Sequence, residues 1–262
     1  MLFIVRVFFC LCQLPPIWRL SKKELGGPGA VQDGPTGCRE GTGLQEKTAK
    51  SKPDEKLPST EEKKLYLEAE YTSARVSDAD LPMLVSLPRE IDQNEWLANN
   101  TMTFFNHINL QYSAISEFCT AESCPVMNAC NVQYFWIDER GKKIKCTAPQ
   151  YVDLVMTHIQ KLLTDEEIFP TKYGKDFPST FESLVQKICR YLFHVLAHIY
   201  YAHFKEVVAL ELYPHLNTVY THFLIFVREF NLIDPKETAV MRDLTDVLLC
   251  GIPQPQNHVN HR

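Results

Sequence analysis

The sequence predicts an all-α fold: a bundle of about five helices carrying one small β-hairpin. Three observations predict it. Apolar residues recur at helical spacing in five separate segments. Capping residues stand at the starts of most of these segments. A single run combines aromatic and β-branched residues around a glycine-containing turn. The 262 residues are 45% hydrophobic and 23% charged, which excludes collagen-like, wholly disordered and coiled-coil classes.

The elements follow in order. Residues 1–60 read as a disordered N-terminal tail. Gly26-Gly27-Pro28-Gly29 and Gly41-Thr42-Gly43 interrupt any regular element there, and few large apolar side chains offset the ordering entropy. The apolar run from Leu2 to Cys12 contains Arg6 and is followed by Gln13-Leu14-Pro15-Pro16, unlike a cleavable leader. It is also shorter than the about 20 residues that cross a bilayer. Residues 61–251 form the expected globular domain, and 252–262, with Pro253 and Pro255, a flexible C-terminal tail.

The first helix spans Asn94 to Leu110, with Trp96, Leu97, Phe104, Phe105 and Ile108 on one stripe and Asn94 as cap. Tyr134–Ile137 and Lys142–Cys146 flank Asp138-Glu139-Arg140-Gly141 and predict the hairpin. Thr147-x-x-Gln150 is a capping box ahead of a helix over Pro149–Leu163. Ser179-x-x-Glu182 starts the strongest helix, whose stripe runs from Phe181 to Ile199 and is wide enough for the middle of a bundle. Two further helices cover His215–Phe230 and Pro235–Leu249, the latter capped by Asp234.

Charge bounds the partners. Residues 1–80 are neutral overall, so the net charge of −5 belongs entirely to the remainder. An acidic domain expects a basic partner and disfavours nucleic acid. Nine cysteines, an odd number thinly spread, fit an interior compartment better than a disulfide scaffold.

One constellation carries chemistry. Cys119 and Cys124 lie close together in a predicted loop, and His198 and His203 close together far downstream. Two thiols and two imidazoles fill a tetrahedral zinc shell, and these donors select zinc over magnesium or calcium. Spacing leaves competitors. On an unbroken helix His198 and His203 sit about 140° apart, so both reach one metal only if the helix ends or distorts between them. His194 with His198 is the better helical pair, and Cys130 competes with Cys124. Joining the loop to the helix costs about 4 kcal/mol of closure entropy, against roughly 10–16 kcal/mol for structural zinc in small peptides. Four protein ligands leave no position for water, so such a site is structural. A zinc hydrolase would need an open position. The chain has no His-Glu-x-x-His, Gly-x-Ser-x-Gly or phosphate-loop motif.

Leu87-Pro88-Arg89-Glu90, Asn94-Glu95-Trp96-Leu97-Ala98, Phe104-Phe105-Asn106-His107-Ile108-Asn109, Glu117-Phe118-Cys119 with Cys124, Phe169-Pro170, Ala197-His198-Ile199-Tyr200 with His203, and His215-Leu216-Asn217-Thr218 together resemble the Mob (Mps one binder) family, over about Leu81 to Gly251. Arg140-Gly141-Lys142-Lys143 and Asp234-Pro235-Lys236-Glu237-Thr238-Ala239 point to one subgroup within it.

The resemblance implies a Mob/phocein-like helical bundle with a structural Zn2+ held by Cys119, Cys124, His198 and His203, and no catalysis. It implies a regulatory adaptor whose acidic face binds the basic N-terminal region of nuclear Dbf-related (NDR) kinases, with no nucleic-acid or membrane partner. On that face the matching residues are Glu90, Asp92 and Glu95. The expected location is nucleus and cytoplasm. Some relatives read phosphothreonine through a basic trio; here the matching positions are Arg190, Tyr191 and His194, so Arg190 is the one permanent cation. A phosphopeptide-binding scaffold is the second reading. Relatives serving both NDR and large tumour suppressor kinases carry an acidic residue where this chain has Thr103, which favours the NDR group.

Overall fold

In a computed structural model of the chain the described residues are 64–77, 79–172 and 174–252, all within one compact unit. The expectations for the N-terminal tail, the apolar run at 2–12 and the C-terminal tail after residue 252 lie outside the described residues.

The chain enters through a 3-10 turn, Leu65–Leu67, and two short helices, α1 (Ala69–Thr72) and α2 (Leu81–Val85). The long helix α3 (Gln93–Ile115) follows. Two hairpins come next: β1 (Asn128–Ala129) with β2 (Val132–Gln133), and β3 (Trp136–Ile137) with β4 (Lys143–Ile144). Helices α4 (Ala148–Thr164), α5 (Phe181–Ala202), α6 (Phe204–Ala209) and α7 (Tyr213–Glu229) form the rest of the bundle. It closes with α8 (Pro235–Thr238), a 3-10 turn at Ala239–Met241, and α9 (Arg242–Leu248). Among the described residues no helix is long and apolar enough to cross a membrane.

The all-α reading with a cluster of two cysteines and two histidines that could hold a metal agrees with this architecture, and the differences have local causes. The cap of α3 is Asp92, whose carboxylate accepts from the backbone N–H groups of Asn94 (2.8 Å) and Glu95 (3.2 Å). The helix runs on to the buried Ile115, one more turn than the apolar stripe to Leu110 suggested. The Thr147–Gln150 capping box forms in both directions. The Ser179–Glu182 box does not: Thr180 precedes the first helical residue in a near-helical conformation and caps with no side-chain bond. The predicted helix at 235–249 is split by the 3-10 turn, although Asp234 caps it as expected.

The predicted hairpin pairs Trp136 with Ile144 and Ile137 with Lys143. Its turn needs Gly141 at φ +76°, and the Asp138 side chain accepts from the N–H groups of Arg140 and Lys142. The β1–β2 hairpin was not anticipated. It pairs Asn128 with Gln133 and Ala129 with Val132, too short for a two-residue period to register.

Helix α5 is the axis. Thirteen of its 22 residues are buried, among them Phe193, Leu192, Leu196 and Tyr200. It packs on α3, while α7 covers α2 and α3. Phe104 of α3 meets Phe223 and Phe226 of α7 at ring-centroid distances of 5.4 and 5.2 Å. The entering strand of chain is fastened by polar groups. Buried Asn217 accepts from the Tyr200 hydroxyl (2.8 Å) and donates to the carbonyls of Tyr71 (2.8 Å) and Ala74 (3.1 Å). Arg75 donates to Thr221 (2.8 Å) and to the Leu248 carbonyl.

Candidate metal centre

Residues 116–127 leave α3 through a tight polar turn that presents two thiols. The Ser123 hydroxyl donates to the Phe118 carbonyl (2.8 Å), and the backbone N–H of Cys124 donates to the Thr120 carbonyl (2.9 Å). This closes the turn and directs Cys119 and Cys124 inward, where both are buried. The Cys124 carbonyl then accepts from the N–H of Ala148, which ties the turn to the start of α4.

The two imidazoles come from α5 and from the break after it. His198 lies in the penultimate turn of α5; His203 is the junction between α5 and α6, with φ −128° and ψ 17°. The helix therefore ends between the two, which is what their spacing requires if both are to face one point. Their ring centroids lie 5.2 Å apart.

The four ligand atoms of Cys119, Cys124, His198 and His203 all lie within 4.8 Å of one another, and all four residues are buried. Cys119 Sγ is 3.6 Å from His198 Nε2, and Cys124 Sγ is 3.4 Å from His203 Nε2. A tetrahedral shell with metal–sulfur bonds near 2.3 Å and metal–nitrogen bonds of about 2.0 Å has S···N edges of about 3.6 Å. The cluster therefore has the size and the donor chemistry of a four-coordinate metal site and could hold a metal ion.

The surroundings orient the donors. The Nδ1 of His198 lies 2.8 Å from the Asn128 carbonyl oxygen and donates to it, which leaves the Nε2 lone pair free toward the thiols. Burial pushes the His198 pKa down to about 4, partly opposed by the Asn128 bond. Burial lowers His203 too, with the Glu206 carboxylate pulling the other way. Both rings are neutral at neutral pH, as ligation needs. Burial pushes the Cys119 thiol up to about 12; a bound cation reverses that by favouring thiolate, so metal uptake releases protons.

The competitors go elsewhere. His194 Nδ1 is 2.7 Å from the Tyr151 hydroxyl, and its ring stacks on Tyr134 at 3.9 Å. Burial, with Arg190 nearby, pushes its pKa down to about 3. Cys130 contacts the Tyr66 hydroxyl at 3.8 Å. Asn128 was invisible to sequence reasoning because it acts through its backbone carbonyl.

Glu90, Asp92 and Glu95 are all exposed at and just before the start of α3. Arg190 is ion-paired, its Nε 2.8 Å from Glu237 Oε2. Of its two companions, Tyr191 stacks on Trp136 and His194 is turned inward as described. Thr103 is buried, its hydroxyl donating to the Asn99 carbonyl (2.9 Å).

A helical bundle fastened by such a cluster defines a small class of proteins, and comparison with known families identifies it: the Mob1/phocein family pattern matches residues 73–241, and the chain belongs to that family. Within it the chain is 64% identical over 230 residues to human MOB kinase activator 2, covering 82% of this chain and 97% of that protein. It is 69% identical over 205 residues to the mouse protein of the same name, covering 78% of this chain and 87% of that protein. It is 52% identical over 182 residues to MOB kinase activator-like 2 of Drosophila melanogaster, covering 69% of this chain and 32% of that protein.

Proposed function

We infer that this chain is a non-catalytic regulatory subunit that binds the basic N-terminal region of NDR-type serine/threonine kinases and modulates their activity in nucleus and cytoplasm. Similarity to nearly the full length of a human protein named a kinase activator supports a kinase partner. The observation that carries the reading is the exposed row of Glu90, Asp92 and Glu95 on a domain that holds all the net acidity of the chain. In the same stretch Met83 and Leu87 are exposed. Exposed ion pairs add little affinity, so apolar anchors supply the strength while carboxylates select and steer a basic partner.

The metal in this reading is zinc, because a buried, closely grouped set of two thiolates and two imidazoles suits it. Its role is to pin the turn at 116–127 against α5 and α6. A phosphopeptide scaffold is the weaker reading: its one permanent cation, Arg190, is engaged by Glu237.

Co-purification with an NDR kinase N-terminal segment tests the proposal. Retention at low salt that falls at high salt is expected. No retention at either salt concentration refutes it.

A further inference from the structure

The two imidazoles of the cluster are not supported alike. His198 Nδ1 has the Asn128 carbonyl at 2.8 Å, whereas the buried Nδ1 of His203 has no hydrogen-bond partner among the described residues. Glu206 lies three residues on, in the first turn of α6, on the same side of the helix as His203. Its Oε2 is also buried and without a hydrogen-bond partner among the described residues. Two unpaired buried polar atoms of complementary chemistry, one turn apart, are unusual in a folded protein.

Metal-ligating histidines nearly always donate their second ring N–H to a carboxylate or carbonyl. We propose that Glu206 is the positioning residue of His203: its carboxylate accepts the Nδ1–H of His203 when Nε2 binds metal, forming a carboxylate–imidazole–metal relay. The inference rests on the zinc reading above. A metal on Nε2 fixes the proton on Nδ1, and the carboxylate then holds that tautomer and the ring plane. The two histidines would thus be oriented by different devices. Asn128 ties His198 to the β1–β2 hairpin, and Glu206 ties His203 to α6.

The test uses the full chain, wild type and with Glu206→Ala or Glu206→Gln. Zinc affinity is measured by competition with a chromophoric chelator. The ring N–H of His203 is followed by nitrogen-15 NMR, and apo-protein melting is recorded in parallel. Glu206→Ala is expected to weaken zinc binding 10–100-fold and to expose the Nδ1 proton to rapid exchange. Glu206→Gln, which keeps an acceptor oxygen, restores most of the affinity. Zinc affinity within twofold of wild type in Glu206→Ala, with the ring proton still protected, overturns the proposal. So does a loss of apo-protein stability with zinc affinity unchanged. A wild-type chain that binds no zinc instead overturns the zinc reading itself, so the two failures are distinct.

Discussion

Reversing Glu90 and Glu95 to lysine together perturbs the proposed docking face and leaves the cap of α3 in place, at a helix-dipole cost of about 0.3–1 kcal/mol for a lysine at position 95 in the first turn. Both side chains are exposed, and neither is the cap of α3. Asp92 is a poor choice for reversal, because its carboxylate holds the N–H groups of Asn94 and Glu95. Losing that cap would cost about 1 kcal/mol of helix stability and blur the readout. Each reversed residue removes an attraction of about 0.2–1 kcal/mol and substitutes a repulsion of similar size. Together they cost about 1–4 kcal/mol, roughly a 5- to 1,000-fold rise in the dissociation constant. Isothermal titration with an NDR N-terminal segment measures this, with circular dichroism to confirm an intact fold. The penalty should shrink as salt rises, since the Debye length falls from about 10 Å at 0.1 M to about 3 Å at 1 M. Asp92→Asn keeps the cap and removes one charge, so it should show a smaller loss. An affinity within twofold of wild type at low salt, in a folded Glu90→Lys/Glu95→Lys protein, refutes the electrostatic docking argument.

Other outcomes follow from the same geometry. Chelating the metal should lower the melting temperature by at least about 12 °C, and Cys124→Ser should lower it in the same direction. A metal contribution of about 10 kcal/mol less about 4 kcal/mol of loop closure leaves about 6 kcal/mol, at about 2–4 °C per kcal/mol; an unchanged melting curve contradicts it. Stability should fall as pH drops from about 6.5 toward 4. Burial pushes the His222 pKa down to about 4 and the His194 pKa to about 3, so the unfolded chain takes up protons first and is favoured by acid. Urea midpoints that do not move over that interval would refute this. Asn217→Ala removes three hydrogen bonds at a buried position and should cost about 3 kcal/mol in a urea titration; a cost below about 1 kcal/mol would show that the entering chain is held by other contacts. Thr147→Ala breaks the capping box of α4 and should cost about 1 kcal/mol, read in the same titration.

Long stripes were the legible part of the fold. The axial helix announces itself through Phe181, Val185, Ile188, Leu192 and Val195 because burial of one face must repeat with the helix. Caps were legible only where geometry had no rival: Thr147 bonds as its motif requires, while Ser179 is displaced by a turn that brings Thr180 to the helix start. The β1–β2 hairpin was hidden because two-residue strands carry no period. The metal cluster was half legible. Residue types pointed to a shell, and the angular mismatch of His198 and His203 implied a helix break, which the structure places at His203. Spacing alone left His194 and Cys130 in competition; the family resemblance named the four ligands, and the partners that hold His194 and Cys130 away, Tyr151 and Tyr66, lie far away in sequence.

The central claim is a closed metal clasp that makes this bundle a rigid binding surface rather than an enzyme. X-ray absorption at the zinc edge of the purified full chain tests it most directly. The account predicts one zinc per chain in a shell of two sulfur and two nitrogen ligands with no oxygen. Protein without stoichiometric zinc, or a shell containing water, would contradict it.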